Sequence, residues 1–204
     1  MVLGGYNIGI EKMFNIVIFG APGSGKGTQS EKLTDRYGLY HISTGEVLRE
    51  HIAQGTELGI IADKYISQGK LIPDELVVDM LAKILDTTEE AKRGVIFDGF
   101  PRTINQAKAL KTLLAERGAQ VDAVIGLDVD EDELIDRLLL RGKQSGRSDD
   151  NLDTIRKRLV EYHAKTQPLH DYYIGEGSFL PVKGTGRIDE IFDRIVAAID
   201  ARQG

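Results

Sequence analysis

Residues 20–28 read Gly-Ala-Pro-Gly-Ser-Gly-Lys-Gly-Thr, directly after the apolar run Phe14 to Phe19 and directly before a stretch with helical periodicity. A bound phosphate needs several N–H donors converging on one small volume, a helix N-terminus behind them and a cation beside them. Gly20, Gly23, Gly25 and Gly27 leave the backbone unobstructed, the helix from Lys26 supplies the dipole, and Lys26 supplies the charge. The order of strand, glycines, lysine and helix, with the spacing GxxxxGK, is that of a phosphate-binding loop. One position departs from that pattern. Where Ser or Thr would meet magnesium the chain has Gly27, with Thr28 one place later, so no direct metal bond is assigned to Thr28.

Other residues could serve the same chemistry. Val95, Ile96, Phe97 and Asp98 form an apolar strand ending in a carboxylate, the arrangement that sets an acid beside a nucleotide's magnesium. Gly99, Phe100, Pro101 and Arg102 follow it, and Ser43 to Arg49 follow another apolar run, so both arginines come after strand ends, where ligands collect on an open parallel sheet. Arg137 and Arg141 share a helix face four residues apart, Arg147 lies in a polar loop, and Arg156, Lys157 and Arg158 stand on the next helix. Such a helix–loop–helix could fold onto the cradle. Lys157 reads instead as a solvated charge, with Asp153 four residues earlier as its partner.

The elements that must position these groups alternate in kind. Strands are expected near 14–19, 39–42, 94–98, 123–129 and 179–183, and helices near 26–37, 44–54, 57–68, 74–86, 103–117, 131–141, 152–172 and 187–202. That alternation predicts an α/β fold: one doubly wound, five-stranded parallel sheet with helices on both faces. Ser43 with Glu46 three residues on predicts a capping box. The helical succession within 43–86 and the polar stretch 142–151 do not fit simple alternation, and each is expected to be a mobile flap. No repeat or low-complexity tract is present.

Composition narrows the class. With 204 residues the chain holds one domain of ordinary size, 41% hydrophobic and 28% charged. Its 26 basic and 32 acidic side chains leave a net charge of −6, which argues against a nucleic-acid coat or a membrane-surface binder, so any anion must be captured locally. No apolar run approaches the ~20 residues of a membrane span. The absence of cysteine excludes disulfides and thiolate metal sites and is compatible with a reducing compartment, with the cytoplasm as default. Residues 1–12 lack the marks of a secretory signal and read as a leader or extension ahead of a single domain over 13–204.

Several motifs occur in order: GAPGSGKGTQ (20–29), ISTGEVLR (42–49), GKLIPDELV (69–77), DGFPRTINQA (98–107), DRLLLRG (136–142), SGRSDDN (145–151) and IRKRLVEYH (155–163). Through them the chain resembles the adenylate kinases, nucleoside monophosphate kinases, in their short-lid form. The resemblance implies reversible, magnesium-dependent transfer of a phosphoryl group from ATP to AMP to give two ADP, in nucleotide salvage and energy homeostasis. It implies that Gly23, Ser24, Gly25, Lys26, Gly27 and Thr28 cradle the ATP phosphates, with Arg141 and Gly186 on the ATP side. Thr44, Arg49, Lys70, Leu71, Ile72, Gly99, Phe100, Pro101, Arg102 and Gln106 would hold AMP in a segment over about 43–72. Arg147 and Arg158 would close over the phosphates from a lid at about 141–152, and Asp98 would reach magnesium through water. Lys26, Arg102, Arg141, Arg147 and Arg158 would be the catalytic set. About ten residues join the lid helices, and with no cysteine no zinc is expected; a monomer is the family expectation.

The residue types suit that reaction. A phosphate acceptor is already ionised at neutral pH, so no general base is required. Accordingly His41, His51, His163 and His170 form no acid–base constellation and read as structural or surface residues. The difficulty lies in bringing two polyanions together away from water, which calls for lysine and arginine in a closed site. The nearest rival is a uridylate/cytidylate or other nucleoside monophosphate kinase; the resemblance favours adenine, because Thr44 and Gln106 match its base-reading positions. A silent nucleotide sensor should have lost one of the cations, all of which are present, and a switch GTPase should carry an NKxD segment, which is lacking.

Overall fold

The computed structural model describes residues 13–147 and 149–203. The leader expected over residues 1–12 lies outside them. In chain order the elements are β1 (Ile16–Gly20), α1 (Lys26–Tyr37), β2 (Tyr40–Ser43), α2 (Thr44–Ala53), α3 (Glu57–Ile66), α4 (Asp74–Thr87), a 3-10 turn (Glu89–Arg93), β3 (Val95–Asp98) and α5 (Ile104–Ala115). Then follow β4 (Ala123–Asp128), α6 (Glu131–Ser145), α7 (Leu152–Glu161), a π-helical turn (Tyr162–Thr166), α8 (Leu169–Gly175), β5 (Phe179–Lys183) and α9 (Ile188–Gln203).

The five strands form one parallel sheet in the order β2-β3-β1-β4-β5. β1 and β3 are buried along their whole length, because helices cover both faces of the sheet. Alternate side chains sort accordingly: Ile16 and Ile18 pack with Leu33 of α1 and Ile191, Ile195 and Ile199 of α9. Val17 and Phe19 pack with Leu81 of α4 and Leu110 of α5 on the opposite face. The chain winds from β1 to β2 and β3 on one side, then to β4 and β5 on the other. The order therefore reverses beside β1, where a crevice opens at the carboxyl ends of the strands. Register places Ile18 and Ser43 opposite Asp98, which gathers the phosphate loop, Ser43 and Asp98 at that edge. Among the described residues no helix is long and apolar enough to cross a membrane.

Three local expectations need correction. The helix expected to end at Arg141 runs on to Ser145 and stops at Gly146, which takes a left-handed φ of 66° and returns its N–H to the Gly142 carbonyl. Gly142 is no breaker; a β-carbon there would lie 2.6 Å from the Asp150 carbonyl oxygen, so the glycine lets the following loop approach the helix. The connection between the two helices is accordingly 146–151, shorter than about ten residues. The single helix expected over 152–172 is three pieces, broken by the π-helical turn and by Pro168, which has no N–H to continue the ladder. Ser43 does precede α2, but its side chain makes no capping bond and faces the crevice instead.

Candidate active site

The phosphate loop is held in shape from both sides. Gly25, ahead of α1, has φ +93°, a conformation that penalises a β-carbon, and the backbone thereby turns into the helix with its N–H groups free of side chains. Beneath the loop, Leu138 of α6 packs so closely that a β-carbon on Gly23 would lie 2.9 Å from its Cγ. Lys26 Nζ donates to the carbonyls of Gly20 (2.8 Å) and Ala21 (3.0 Å). Burial, then Arg102, Arg158 and Arg141, push its pKa down to about 8, against the opposing pull of Asp98. A β-carbon on Gly27 would be 3.7 Å from Asp98 Oδ2, so the departure from Ser or Thr leaves space in front of that carboxylate. Thr28 is exposed.

Burial alone would raise the Asp98 carboxyl; His41, Lys26 and Arg102 outweigh it and hold it below the ordinary carboxylate range. His41 is thus not a bystander. Its buried Nε2 lies 3.5 Å from Asp98 Oδ2, within ion-pair range and long for a hydrogen bond. The expectation for the other histidines stands: His163 and His170 are exposed, and His51 Nδ1 contacts Thr56 Oγ1.

Two cavities meet at this edge. One is lined by Gly23 to Gln29, Asp98, Arg137, Arg141, Gly186 and Ile188. The other is lined by Thr44, Leu48, Lys70, Leu71, Ile72, Val77, Pro101 and Gln106, with Glu161, Tyr162 and Thr166 from the end of α7 and the π-helical turn. Lys26, Arg49, Gly99, Arg102, Arg147 and Arg158 line both, so the cations stand at the junction. Of the residues expected there only Phe100 turns away: its ring is buried in the core beside α4 and α5, leaving the backbone to follow the site. Gly99 shapes the corner. Its φ is +77°, and a β-carbon would lie 2.8 Å from Thr44 Oγ1 and 3.0 Å from Arg102 Nη2.

Arg102 is fixed at several atoms. Nε donates to the Gly99 carbonyl (2.7 Å), the backbone N–H to Gln106 Oε1 (2.7 Å), and the carbonyl accepts from Thr166 Oγ1 (2.8 Å). Burial, then Arg158, lower its pKa to about 10, with Asp98 opposing, which leaves it charged at neutral pH. Desolvated guanidinium groups in such a site act strongly on any charge placed between them.

The sequence reading missed the pair of acids that ties together α6, α7 and the loop between them. Asp149 accepts a two-point contact from Arg147 and lies 2.9 Å from Arg158 Nη1. Asp150, its carboxylate fully buried, accepts from both Arg141 and Arg158. Burial would raise the Asp149 carboxyl, but Arg147 and Arg158 hold it down to about 2. The adjacent acids within SGRSDDN were the available signal. Arg137, known only as sharing a face with Arg141, lines the cradle cavity and donates to the Gly184 carbonyl. Glu161 accepts from the Leu71 N–H (3.3 Å), which ties 66–72 to α7. Lys157 is exposed with no ion pair to Asp153 among the described residues; its Cβ would stand 3.1 Å from a β-carbon on Gly69.

A phosphate cradle, a strand-end carboxylate and a ring of arginines at the carboxyl edge of a parallel sheet define a P-loop phosphotransferase. Comparison with known proteins narrows the class. The adenylate kinase family model matches residues 18–178. An adenylate kinase of Parabacteroides distasonis is 63% identical over 188 residues, covering 92% of this chain and 98% of that protein. Adenylate kinases of Phocaeicola vulgatus (60%, 92% of this chain, 99% of the relative) and Azobacteroides pseudotrichonymphae (52%, 92% and 98%) are similar over the same length. The chain belongs to the adenylate kinase family, phosphotransferases that take a phosphate group as acceptor.

Proposed function

We propose that the protein transfers the terminal phosphoryl group of ATP to AMP, reversibly, giving two ADP. The observation that carries the reading is the junction of the two cavities, where Lys26, Arg49, Arg102, Arg147 and Arg158 are shared. Two nucleotides entering from opposite sides would meet there phosphate to phosphate. Residues 23–28 hold the donor phosphates, with Arg141 beside them and Gly186 and Arg137 toward the donor nucleoside. Arg49 and Arg102 hold the acceptor phosphate, and Thr44, the 70–72 backbone, Gly99 to Pro101 and Gln106 surround its nucleoside. The acceptor oxygen needs no base, so the chain's contribution is alignment and charge: Lys26, Arg102, Arg141, Arg147 and Arg158 stabilise the equatorial oxygens as the bond to the leaving ADP loosens.

Asp98 and the space before it fit magnesium held mostly by nucleotide and water, as expected for a hard ion that keeps its hydration. Among the described residues no group of three or more His, Cys, Asp or Glu could hold a metal ion. Bound with ATP, the ion neutralises charge on the donor phosphates. Closure of 43–72 and 141–152 would exclude water, the competing acceptor. The chain would act as a monomer in the cytoplasm, in nucleotide salvage and energy homeostasis.

Initial rates with ATP, magnesium and each of AMP, UMP, CMP and GMP test the reading. AMP is the expected acceptor, with two ADP formed per AMP consumed. Preference for another monophosphate, or ATP consumption without an acceptor product, overturns it.

A further inference from the structure

Gln106 is buried, yet its side-chain amide faces a cavity wall between two polar neighbours. On one side Oε1 accepts the backbone N–H of Arg102 at 2.7 Å; on the other, Nε2 donates to Asp74 Oδ1 at 2.8 Å. These contacts settle which end is oxygen. An N–H can only donate and a carboxylate offers only acceptors, so the reversed amide would face donor to donor and acceptor to acceptor. Asp74 is itself pinned, because its Oδ2 accepts from Thr103 Oγ1 at 2.9 Å, while Thr103 Oγ1 accepts the Gln106 N–H at 3.1 Å. Asp74 opens α4 and Thr103 caps α5, so the amide is clamped between two helix starts.

A primary amide has two acceptor sites on oxygen and two hydrogens on nitrogen. The clamp uses one of each. What remains is one acceptor and one donor in fixed order along the amide, and that order can be read by a base. A base with an amino group beside an unprotonated ring nitrogen, as in adenine or cytosine, meets it with donor to acceptor and acceptor to donor. A base with a carbonyl beside a ring N–H, as in hypoxanthine, guanine or uracil, meets it with both pairs reversed.

We propose that Asp74 is a specificity-determining positioning residue: by fixing the direction of the Gln106 amide, it makes the acceptor-nucleotide cavity select 6-amino over 6-oxo purine monophosphates. The inference rests on the reading that AMP occupies this cavity with its base toward Gln106. Asp74 touches no substrate. Asp74→Asn keeps the size but presents an amide that can donate as well as accept, which removes one of the two contacts that fix the Gln106 amide and leaves the Arg102 N–H alone to oppose its turning over to pair with the opposite base edge.

Inosine monophosphate is the informative probe, since it differs from AMP at the 6-position and the adjoining ring hydrogen and in little else. The measurement is the ratio of kcat/KM for AMP to that for inosine monophosphate, from chromatographic quantification of the diphosphates, in the wild type and in Asp74→Asn. A bidentate base contact discriminates by roughly tenfold or more; with the Arg102 N–H still holding part of the direction, the ratio is expected to fall by more than about threefold and by no more than that full factor in the variant. Loss of packing or stability alone would lower both arms and leave the ratio in place. A ratio that stays within threefold of the wild type overturns the role of Asp74. A wild type that does not prefer AMP overturns the underlying reading of the cavity instead. A second measurement needs no variant: in the wild type, the Gln106 side-chain proton bound to Asp74 should stay protected from solvent exchange when AMP binds. Loss of that protection in the AMP complex would mean that the clamp releases, and the proposal fails.

Discussion

Asp150 and Arg141 meet through two parallel hydrogen bonds, Nε to Oδ2 at 2.6 Å and Nη2 to Oδ1 at 2.8 Å, and the carboxylate that makes them is fully buried. The same carboxylate accepts from Arg158 at 2.9 Å, so one acid joins α6 to α7 and fixes two arginines that would otherwise repel each other. Asp150→Ala leaves Arg141 without its two-point partner and Arg158 with Asp149 alone. Removing one partner of a buried ionic contact costs about 3–5 kcal/mol; Arg141 is partly exposed, so the expectation is near about 3 kcal/mol. Urea unfolding should report that loss, accompanied by lower kcat. An unchanged unfolding midpoint would remove Asp150 from the lid's framework.

Arg102 should behave in the opposite way. Its backbone N–H and carbonyl carry the bonds to Gln106 and Thr166, and these survive truncation of the side chain. Arg102→Ala should therefore keep the fold and thermal transition close to wild type while slowing turnover by roughly 10³ to 10⁵, the scale of an arginine that stabilises a transferring phosphoryl group. Wild-type turnover would exclude the guanidinium from the reaction.

Lys26 makes the pH dependence specific. Its pKa in the free protein is about 8 against an ordinary 10.5, a lowering caused by burial and then by Arg102, Arg158 and Arg141. On the proposed reading donor phosphates bind the charged form, so kcat/KM for ATP should be level below about pH 8 and fall as pH rises through it. Phosphates bound beside the amine raise its pKa, so kcat should hold to higher pH. The sign for folding is reversed: the buried charge opposes the folded state below about 8, and that opposition fades between there and 10.5. A kcat/KM profile level to pH 10 would show that Lys26 is not the group titrating in the donor site.

Much of this was legible because local chemistry is strict where phosphate binds. The run from Gly20 to Thr28 admits few other uses, and strand ends carrying Asp98 and Ser43 fall on the sheet edge once parallel alternation is accepted. The lid was harder. Gly142 reads as a helix end when only its own backbone is considered, and its reason for being glycine, the approach of the Asp150 carbonyl, is a tertiary contact. Asp149 and Asp150 drew no reading of their own within the polar stretch 142–151, because which arginines face them depends on how α6 and α7 pack. The π-helical turn that brings Tyr162 and Thr166 to the second cavity leaves no mark in an amphipathic pattern. The Asp74–Gln106 contact joins residues 32 apart in sequence and is visible only when α4 and α5 lie side by side.

Leu138 tests whether the cradle depends on its support. The side chain is fully buried in a small cluster with Ala21, Leu134, Ile155 and Leu159, separate from the two cores on the sheet. It also lies directly under Gly23, close enough that the loop cannot sink toward α6. Leu138→Ala opens a cavity at that contact and should cost about 2–5 kcal/mol. Because the loop then loses its floor, KM for ATP should rise while KM for AMP, whose proposed cavity Leu138 does not line, changes little. Equal rises in both would mean that the substitution loosens the sheet edge as a whole; a stability loss with both KM values intact would mean that the loop keeps its shape without α6 beneath it.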